Sequence, residues 1–433
     1  MGIKGEKLNI ESIVIEKEQS DPIITQSTQN EGFKESSLRI ENINFWDGVA
    51  IIVGSSIGAG ILSLAYGTKN AGFPVLVFWV ILTGLFTTIS MLYVAETTLR
   101  TKKPFQLSGL AETYIGKVGA WLMFIAVFGN SLGALIAYTT GSGRVLSEIL
   151  NVPPIIGSIL FFIPAVVVVW FGLKAVGAAE KVITACMVIM VLILILATVI
   201  GPGLKGEYLT YMNVSVSIPI FTLVIFTFIG QYAVPELTRG FVNGDIKRLP
   251  RSIITGNTIV AILLILVPMS ALGLNGPEKV TEIVTIAWAE ALGQWAFFTA
   301  NIFTLFAFLT SFWAIGQSLL TNIVDKLKFP SEWDLKFRLI ALSIVAIPPF
   351  VIAYTGLIGF VDVLSLTGSF SGVIMGILPV LMLNRARKIG TREPEWTCGR
   401  LAHPAVQALI VLTFVSASVY TIMKTFNILP SGW

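Results

Sequence analysis

This chain of 433 residues has little charge, one histidine and two cysteines. Asp, Glu, Lys and Arg make up 12% of it, against about a quarter in an ordinary soluble domain. A water-facing surface needs more charge than that, so the two or three soluble domains that the length would allow are excluded. The single histidine, His403, leaves no imidazole set for a metal site or a triad. Cys186 lies in an apolar run and Cys398 in a polar loop; together they make neither a disulfide framework nor a spaced metal site. The net charge of +4 is small, and the 29 Lys and Arg are scattered, which excludes a nucleic-acid partner. No HExxH, phosphate loop or paired intramembrane carboxylates are visible, so an enzyme is not expected. Repeated rings of charge, which a channel would need, are also missing.

What is there is apolar: 55% of the residues, with a mean hydropathy of +0.82. Residues 1–45 differ, being rich in Glu, Ser, Gln, Asn and Lys and without the charged-then-apolar order of a signal peptide. They read as a disordered cytoplasmic tail. From Trp46 on, apolar segments recur near 46–67, 73–99, 116–140, 154–171, 177–200, 214–238, 251–273, 291–324, 338–355, 359–383 and 404–424. Crossing about 30 Å of hydrocarbon takes about 20 helical residues, so these read as eleven transmembrane helices of an all-α polytopic membrane protein.

Lys and Arg test that count, because cytoplasmic loops concentrate them. With the tail inside, 24 of the 29 fall on the tail's side. Only Lys69, Arg144, Lys205, Lys279 and Lys424 fall on the other. A missed span would scramble the split. The expected topology has the N-terminus cytoplasmic and the C-terminus outside, in a plasma membrane of the prokaryotic inner-membrane kind.

Two spans interrupt themselves, although freed backbone groups cost several kcal/mol in hydrocarbon. The first carries Gly54-Ser55-Ser56-Ile57-Gly58-Ala59-Gly60 at its middle. Close packing through Gly54-x-x-x-Gly58 is the plainer explanation. The sixth carries Phe226-Thr227-Phe228-Ile229-Gly230-Gln231-Tyr232, with Pro235 following. Matching breaks in two halves of five spans, 46–200 and 214–384, predict an inverted 5+5 repeat, with 404–424 as an added eleventh helix.

An unwound helix offers N–H groups to a carboxylate and C=O groups to an ammonium or a cation. The pair of breaks therefore suits a free α-amino acid. Gly58, Ala59 and Gly60 would hold its carboxylate; carbonyls near Ser55, Phe226, Thr227 and Ile229 would hold its amine, and Ser56 and Gly230 are further candidate substrate-binding residues. Glycine also admits the substrate closely. Phe226 and Phe228 are candidates to cap it through the ring face. Asn130 and Ser131 of the third span are candidate lining residues, and Tyr138 a weaker one nearer the outer end.

The run Gly54–Leu64, then Ala71-Gly72-Phe73-Pro74 and Glu96, resembles the hydroxy and aromatic amino acid permeases of the amino acid/polyamine/organocation superfamily. So do Pro235-Glu236-Leu237 with Asp245–Arg251, and Thr310-Ser311-Phe312-Trp313 closing with Asp325. The resemblance covers about 46–424. It implies a leucine-transporter-type fold and secondary active transport of amino acids by alternating access. A non-transporting sensor or a channel on the same fold is the alternative. Two departures stand out: Ala65 replaces a common Pro, and Ile229-Gly230-Gln231 stands where the family often has His. Sodium-coupled members of the fold share a cation site that would fall here on the carbonyls of Gly54 and Ile57 and on Ala307, Thr310 and Ser311. Hydroxyls bonding back to their own helix are the competing explanation. Where some proton-coupled relatives carry a lysine, this chain has Met187. Sodium is the expected coupling ion and a proton the alternative, with no other cofactor.

Intramembrane carboxylates are candidate gates. Asp47, Glu96 and Glu236 lie at cytoplasmic span ends, where Arg239 and Arg100 would join them in one network. Asp362 opens the tenth span outside, where Lys69 would pair with it.

Overall fold

The computed structural model describes residues 38, 42–241, 245–280, 288, 291–355, 360–425 and 428, without the side chains of 173–180, 360–362, 365, 421, 424 and 425. Most of the tail (1–37 and 39–41) lies outside the described residues. The described chain is helical: α1 (Phe45–Ser56), α2 (Ala59–Thr68), α3 (Phe73–Leu99), α4 (Leu107–Ile115), α5 (Lys117–Leu150), α6 (Pro154–Trp170), α7 (Leu173–Ile200) and α8 (Gly206–Thr210) come first. They are followed by α9 (Ser217–Phe228), α10 (Val234–Phe241), α11 (Arg248–Asn275), α12 (Gln294–Lys326), α13 (Leu335–Thr355), α14 (Phe360–Ile389) and α15 (Pro404–Thr425).

Among the described residues eight spans are long and apolar enough to cross a membrane, and a ninth is the pair α1–α2, bent by 46°. The expected fourth and eleventh spans are the shorter apolar helices Pro154–Trp170 and Pro404–Tyr420. Each of the eleven expected segments thus holds helix, and nine of them stand as spans on length and composition. The exterior explains the missing charge. Ile81, Leu85, Ile163, Ile189, Leu366 and Leu412 are all exposed, a surface that aggregates in water and that lipid accepts. Polar side chains turn inward instead: Thr87, Ser90, Asn130, Asn257, Asn301 and Gln317 are buried.

The breaks fall where glycine interrupts helical pattern. Asn44 caps α1 reciprocally with Asp47, its Oδ1 accepting from the backbone N–H of Trp46 and Asp47. α1 ends at Ser56, Ile57 and Gly58 leave helical geometry, and α2 restarts at Ala59. α9 ends at Phe228; Ile229 and Gly230 are irregular, a 3₁₀ turn covers Gln231–Ala233, and α10 follows with Pro235 in its first turn, where a missing N–H costs nothing. The Gly230 N–H is met by the Gln231 side-chain oxygen at 3.2 Å.

Glu96 sits fully buried at the end of α3 and ties that end of the molecule together. It accepts from Arg100 Nε (2.9 Å), from Arg387 Nε and Nη2 of α14 (2.9 Å each) and from the Cys398 N–H (2.7 Å). Glu96→Ala leaves two guanidinium groups and a buried amide without their acceptor. We expect it to cost about 3 kcal/mol, read as a lower melting temperature of the purified protein. Asp47→Asn, beside the half-exposed Lys181, costs no more than about 1 kcal/mol. Equal melting shifts for the two would contradict the anchor.

Candidate functional site

The two breaks lie against each other. A Cβ built on Gly60 would overlap Thr227 Cγ2 and come within 3.0 Å of its Cβ and 3.4 Å of its Cα. A Cβ on Gly58 would meet Ser311 Oγ at 2.5 Å and Tyr138 Cε1 at 2.9 Å. Glycine is required at both positions by close approach: α9 crosses α2 at Gly60, and α5 and α12 converge on Gly58. The first N–H groups of α2 have no partner within their own helix, so the loop presents donors beside these side chains.

Three of the expected lining residues carry uncommitted polar atoms. Ser56 Oγ ends α1, and Asn130 Oδ1 and Ser131 Oγ lie on α5; all three are buried and bonded to no protein atom. That is unusual for helix hydroxyls in an apolar setting. Ser55, Ser63 and Thr139 each donate to a carbonyl three or four residues back, at 2.9, 3.0 and 2.8 Å, the common solution. Ser55 is thereby satisfied within α1, so only its backbone remains for a ligand. Tyr138 is more central than its place along the third span suggests, since it touches Gly58 and lies 5.9 Å from the Phe308 ring.

Thr227 is the residue of the sixth span that reaches the first break. Its neighbours face elsewhere. Phe226 Cβ lies 2.9 Å from a Cβ built on Gly368 of α14, and Ile229 Cδ1 lies 3.0 Å from one on Gly372. The Phe228 ring packs on Gly84 of α3, so it fills space between helices and does not cap the site. Gly230 faces Met91 of α3.

Of the residues expected to hold a cation, Ser311 Oγ donates to the Gly54 carbonyl at 2.5 Å. Ile57, Ala307, Thr310 and Ser311 are buried with it. Thr310 Oγ1 bonds within α12, to Phe306 O (3.0 Å) and Ala307 O (3.3 Å). One hydroxyl therefore bridges the two spans and the other follows the back-bonded pattern. Met187 of α7 is fully buried among apolar side chains.

Among the described residues, the three carboxylates of the basic face have different partners. Asp47 caps α1 and pairs with Lys181 at 3.3 Å. Glu96 has Arg100 as expected, but its other partners are Arg387 and Cys398. Glu236 accepts from the Thr321 hydroxyl and from Gln106 Nε2 (3.4 Å), with Arg239 Nη2 at 4.0 Å. Arg239 turns instead to Glu332 at 3.4 Å, a loop residue that nothing in the local sequence marks. The side chain of Asp362 lies outside the described residues; the Lys69 ammonium sits 4.0 Å over the Tyr66 ring.

Comparison with known proteins places the chain in a family and a fold. A family model described as the tryptophan/tyrosine permease family matches residues 41–420. The tyrosine-specific transport system 1 of Haemophilus influenzae is 27% identical over 370 residues, 79% of this chain and 88% of that protein. A tryptophan-specific transport protein of the same organism is 24% identical over 372 residues, 79% of this chain and 87% of its own length. Among solved structures, MhsT in complex with L-phenylalanine superposes with a TM-score of 0.66 at 14% identity, covering 88% of this chain and 99% of that one. The fold is therefore of the leucine-transporter type.

Proposed function

The chain belongs to the tryptophan/tyrosine permease family, an integral membrane permease and not an enzyme, and from that premise we propose that it is a cation-coupled symporter of free α-amino acids. The basic face is the cytoplasmic one, in an inner membrane, and the two broken helices bind the substrate. The observation that carries this reading is the meeting of Gly60 and Thr227. That contact supports a reading in which the N–H groups that open α2 and the carbonyls that end α9 offer opposite partial charges to one small zwitterion. Ser56, Asn130 and Ser131 supply polar atoms not already committed. Binding with backbone dipoles needs no buried ionised side chain, which is why the span interiors do without one.

The coupling ion would sit where Ser311 meets Gly54, sodium being the reading favoured by a hydroxyl and a carbonyl in contact. A proton is the alternative. The relatives carry tyrosine and tryptophan in their names, so aromatic amino acids lead the substrate panel. The test is uptake by proteoliposomes of labelled amino acids, with sodium or proton gradients imposed separately. We expect saturable uptake of at least one amino acid that collapses with one of the gradients. Binding without uptake would make the protein a sensor, and uptake that never saturates would make it a channel.

A further inference from the structure

A chain of hydrogen bonds crosses the second break on the side of α3 and α14. Gln231, which follows the break, is 1% exposed. Its Oε1 accepts from the Gly230 N–H at 3.2 Å, and its Nε2 reaches Ser90 Oγ of α3 at 3.5 Å. Ser90 Oγ in turn donates to the Gly376 carbonyl of α14 at 3.2 Å. Every donor in this chain points the same way. Only the oxygen of an amide side chain accepts from an N–H, so the backbone partner fixes which end of Gln231 faces it. The NH2 end is then the one turned to α3.

The support behind this chain is stiff. α3 runs unbroken from Phe73 to Leu99. It backs the same corner a second time, since a Cβ built on Gly230 would come within 3.1 Å of Met91 Cε. Met91 is steadied by Asn257 of α11, whose Nδ2 donates to Met91 Sδ (3.2 Å) and to Thr88 Oγ1 (3.0 Å). The peptide group between Ile229 and Gly230 carries the consequence. No regular helix bond holds its N–H, so without a side-chain partner it is free to turn. A trans peptide is planar, with its N–H and C=O opposed. Holding the Gly230 N–H on Gln231 therefore also sets the direction of the Ile229 carbonyl, away from that side chain.

We propose that Gln231 is a positioning residue for substrate binding: by accepting from Gly230 and donating to Ser90 at once, it locks the Ile229–Gly230 peptide in the orientation that offers the Ile229 carbonyl to the substrate amine. This rests on the reading of the two breaks as the amino acid site. Gln231 itself touches no substrate. A carbonyl aimed in advance binds an ammonium without first losing orientational freedom, which is where preorganisation gains affinity. The side chains that meet at this corner, Ser90, Met91 and Asn257, do not titrate. The titratable groups of the same elements, Glu96 on α3, Glu236 and Arg239 on α10, Arg251 on α11 and Arg385 on α14, lie toward their basic ends.

The role demands a side chain that accepts and donates together, and that demand is testable on the purified full-length protein with labelled aromatic amino acids as the probe. Gln231→Met keeps the length and loses both functions. We expect its dissociation constant to rise about tenfold. Gln231→Glu relays only as the neutral acid, and Gln231→His only as the neutral imidazole; the carboxylate cannot donate and the imidazolium cannot accept. Taken relative to the parent at each pH, from about pH 5 to about pH 9, the dissociation constant should rise with pH in the Glu variant and fall with pH in the His variant. Ser90→Ala should weaken binding less than Gln231→Met and add nothing to it in the double variant. Without substrate, the Gly230 amide should exchange its hydrogen about tenfold faster in Gln231→Met. Unchanged binding in Gln231→Met, a slope of the wrong sign in either titrating variant, or additive losses in the double variant would overturn the proposal. A parent that binds no amino acid would overturn the substrate reading, and exchange at Gly230 would then decide alone whether Gln231 locks the peptide.

Discussion

Gly60→Ala should cut amino acid uptake by between about 10- and 100-fold while leaving the protein folded. The added methyl would lie on top of Thr227 Cγ2, with Thr227 Cβ at 3.0 Å and backbone Cα at 3.4 Å behind it. Thr227 cannot simply rotate away, because its hydroxyl donates to Val224 O at 2.7 Å and its Cβ and Cα are part of the obstruction. Overpacking of this kind costs about 1–3 kcal/mol, and each 1.4 kcal/mol is about tenfold. The helix itself predicts the opposite sign. Alanine is better than glycine by about 1 kcal/mol inside a helix, and Gly60 is in the first turn of α2. A melting temperature held or raised alongside poor uptake would therefore place the defect between the two breaks and not in folding. Thr227→Ser removes the methyl that collides first, so the double variant should recover part of the lost rate. Gly60→Trp fills the site and should abolish uptake. Normal initial rates for Gly60→Ala in proteoliposomes would remove Gly60 from the substrate site.

The breaks were legible because glycine, serine and proline at mid-span run against what a lipid-facing helix needs, and the structure puts the interruptions at Ile57–Gly58 and Ile229–Gly230. What faces what across them was not. A residue in a helix turns about 100° from its neighbour, and an interruption of unknown shape loses the phase. Thr227 therefore meets Gly60 while Phe226, Phe228 and Ile229, equally plausible in sequence, pack against α14 and α3. Tyr138 shows the same limit on an unbroken helix, since its distance from the span's middle says nothing about the tilt that brings it to Gly58. The charged clusters failed differently. Glu96, Glu236 and Asp47 were recognisable as carboxylates in poor places to be charged, but Arg387 and Glu332 come from loops and helix ends more than 90 residues away. In a loop such as Pro330-Ser331-Glu332-Trp333, burial is decided by the fold around it and leaves no periodic trace.

Thr310→Ala with Ser311→Ala should remove the sodium dependence of uptake altogether. Ser311 is the only described side chain shown bonding the Gly54 carbonyl, at 2.5 Å, and an ion accepted there would take the lone pairs of both oxygens. Loss of both hydroxyls from so small a set leaves backbone carbonyls alone to replace the hydration shell of a hard cation. Ser311→Ala by itself should raise the sodium concentration for half-maximal uptake by more than about tenfold, the order expected when a group that orients or completes an ion site is lost. Thr310→Ala should do less, since that hydroxyl is bonded to Phe306 O and Ala307 O and must leave them to reach an ion. Thr310→Ser keeps the oxygen and should behave as the parent. Ser311→Ala removes one oxygen and adds no atom to this close-packed region, so the protein should still fold. Binding can be read apart from transport: sodium at about 100 times its dissociation constant stabilises the folded protein by about 2.7 kcal/mol. The parent should therefore melt higher in sodium than in potassium, and the double variant should show no difference. Should the parent show none either, and its uptake follow an imposed proton gradient without sodium, the Ser311–Gly54 contact is helix packing and the coupling ion is the proton.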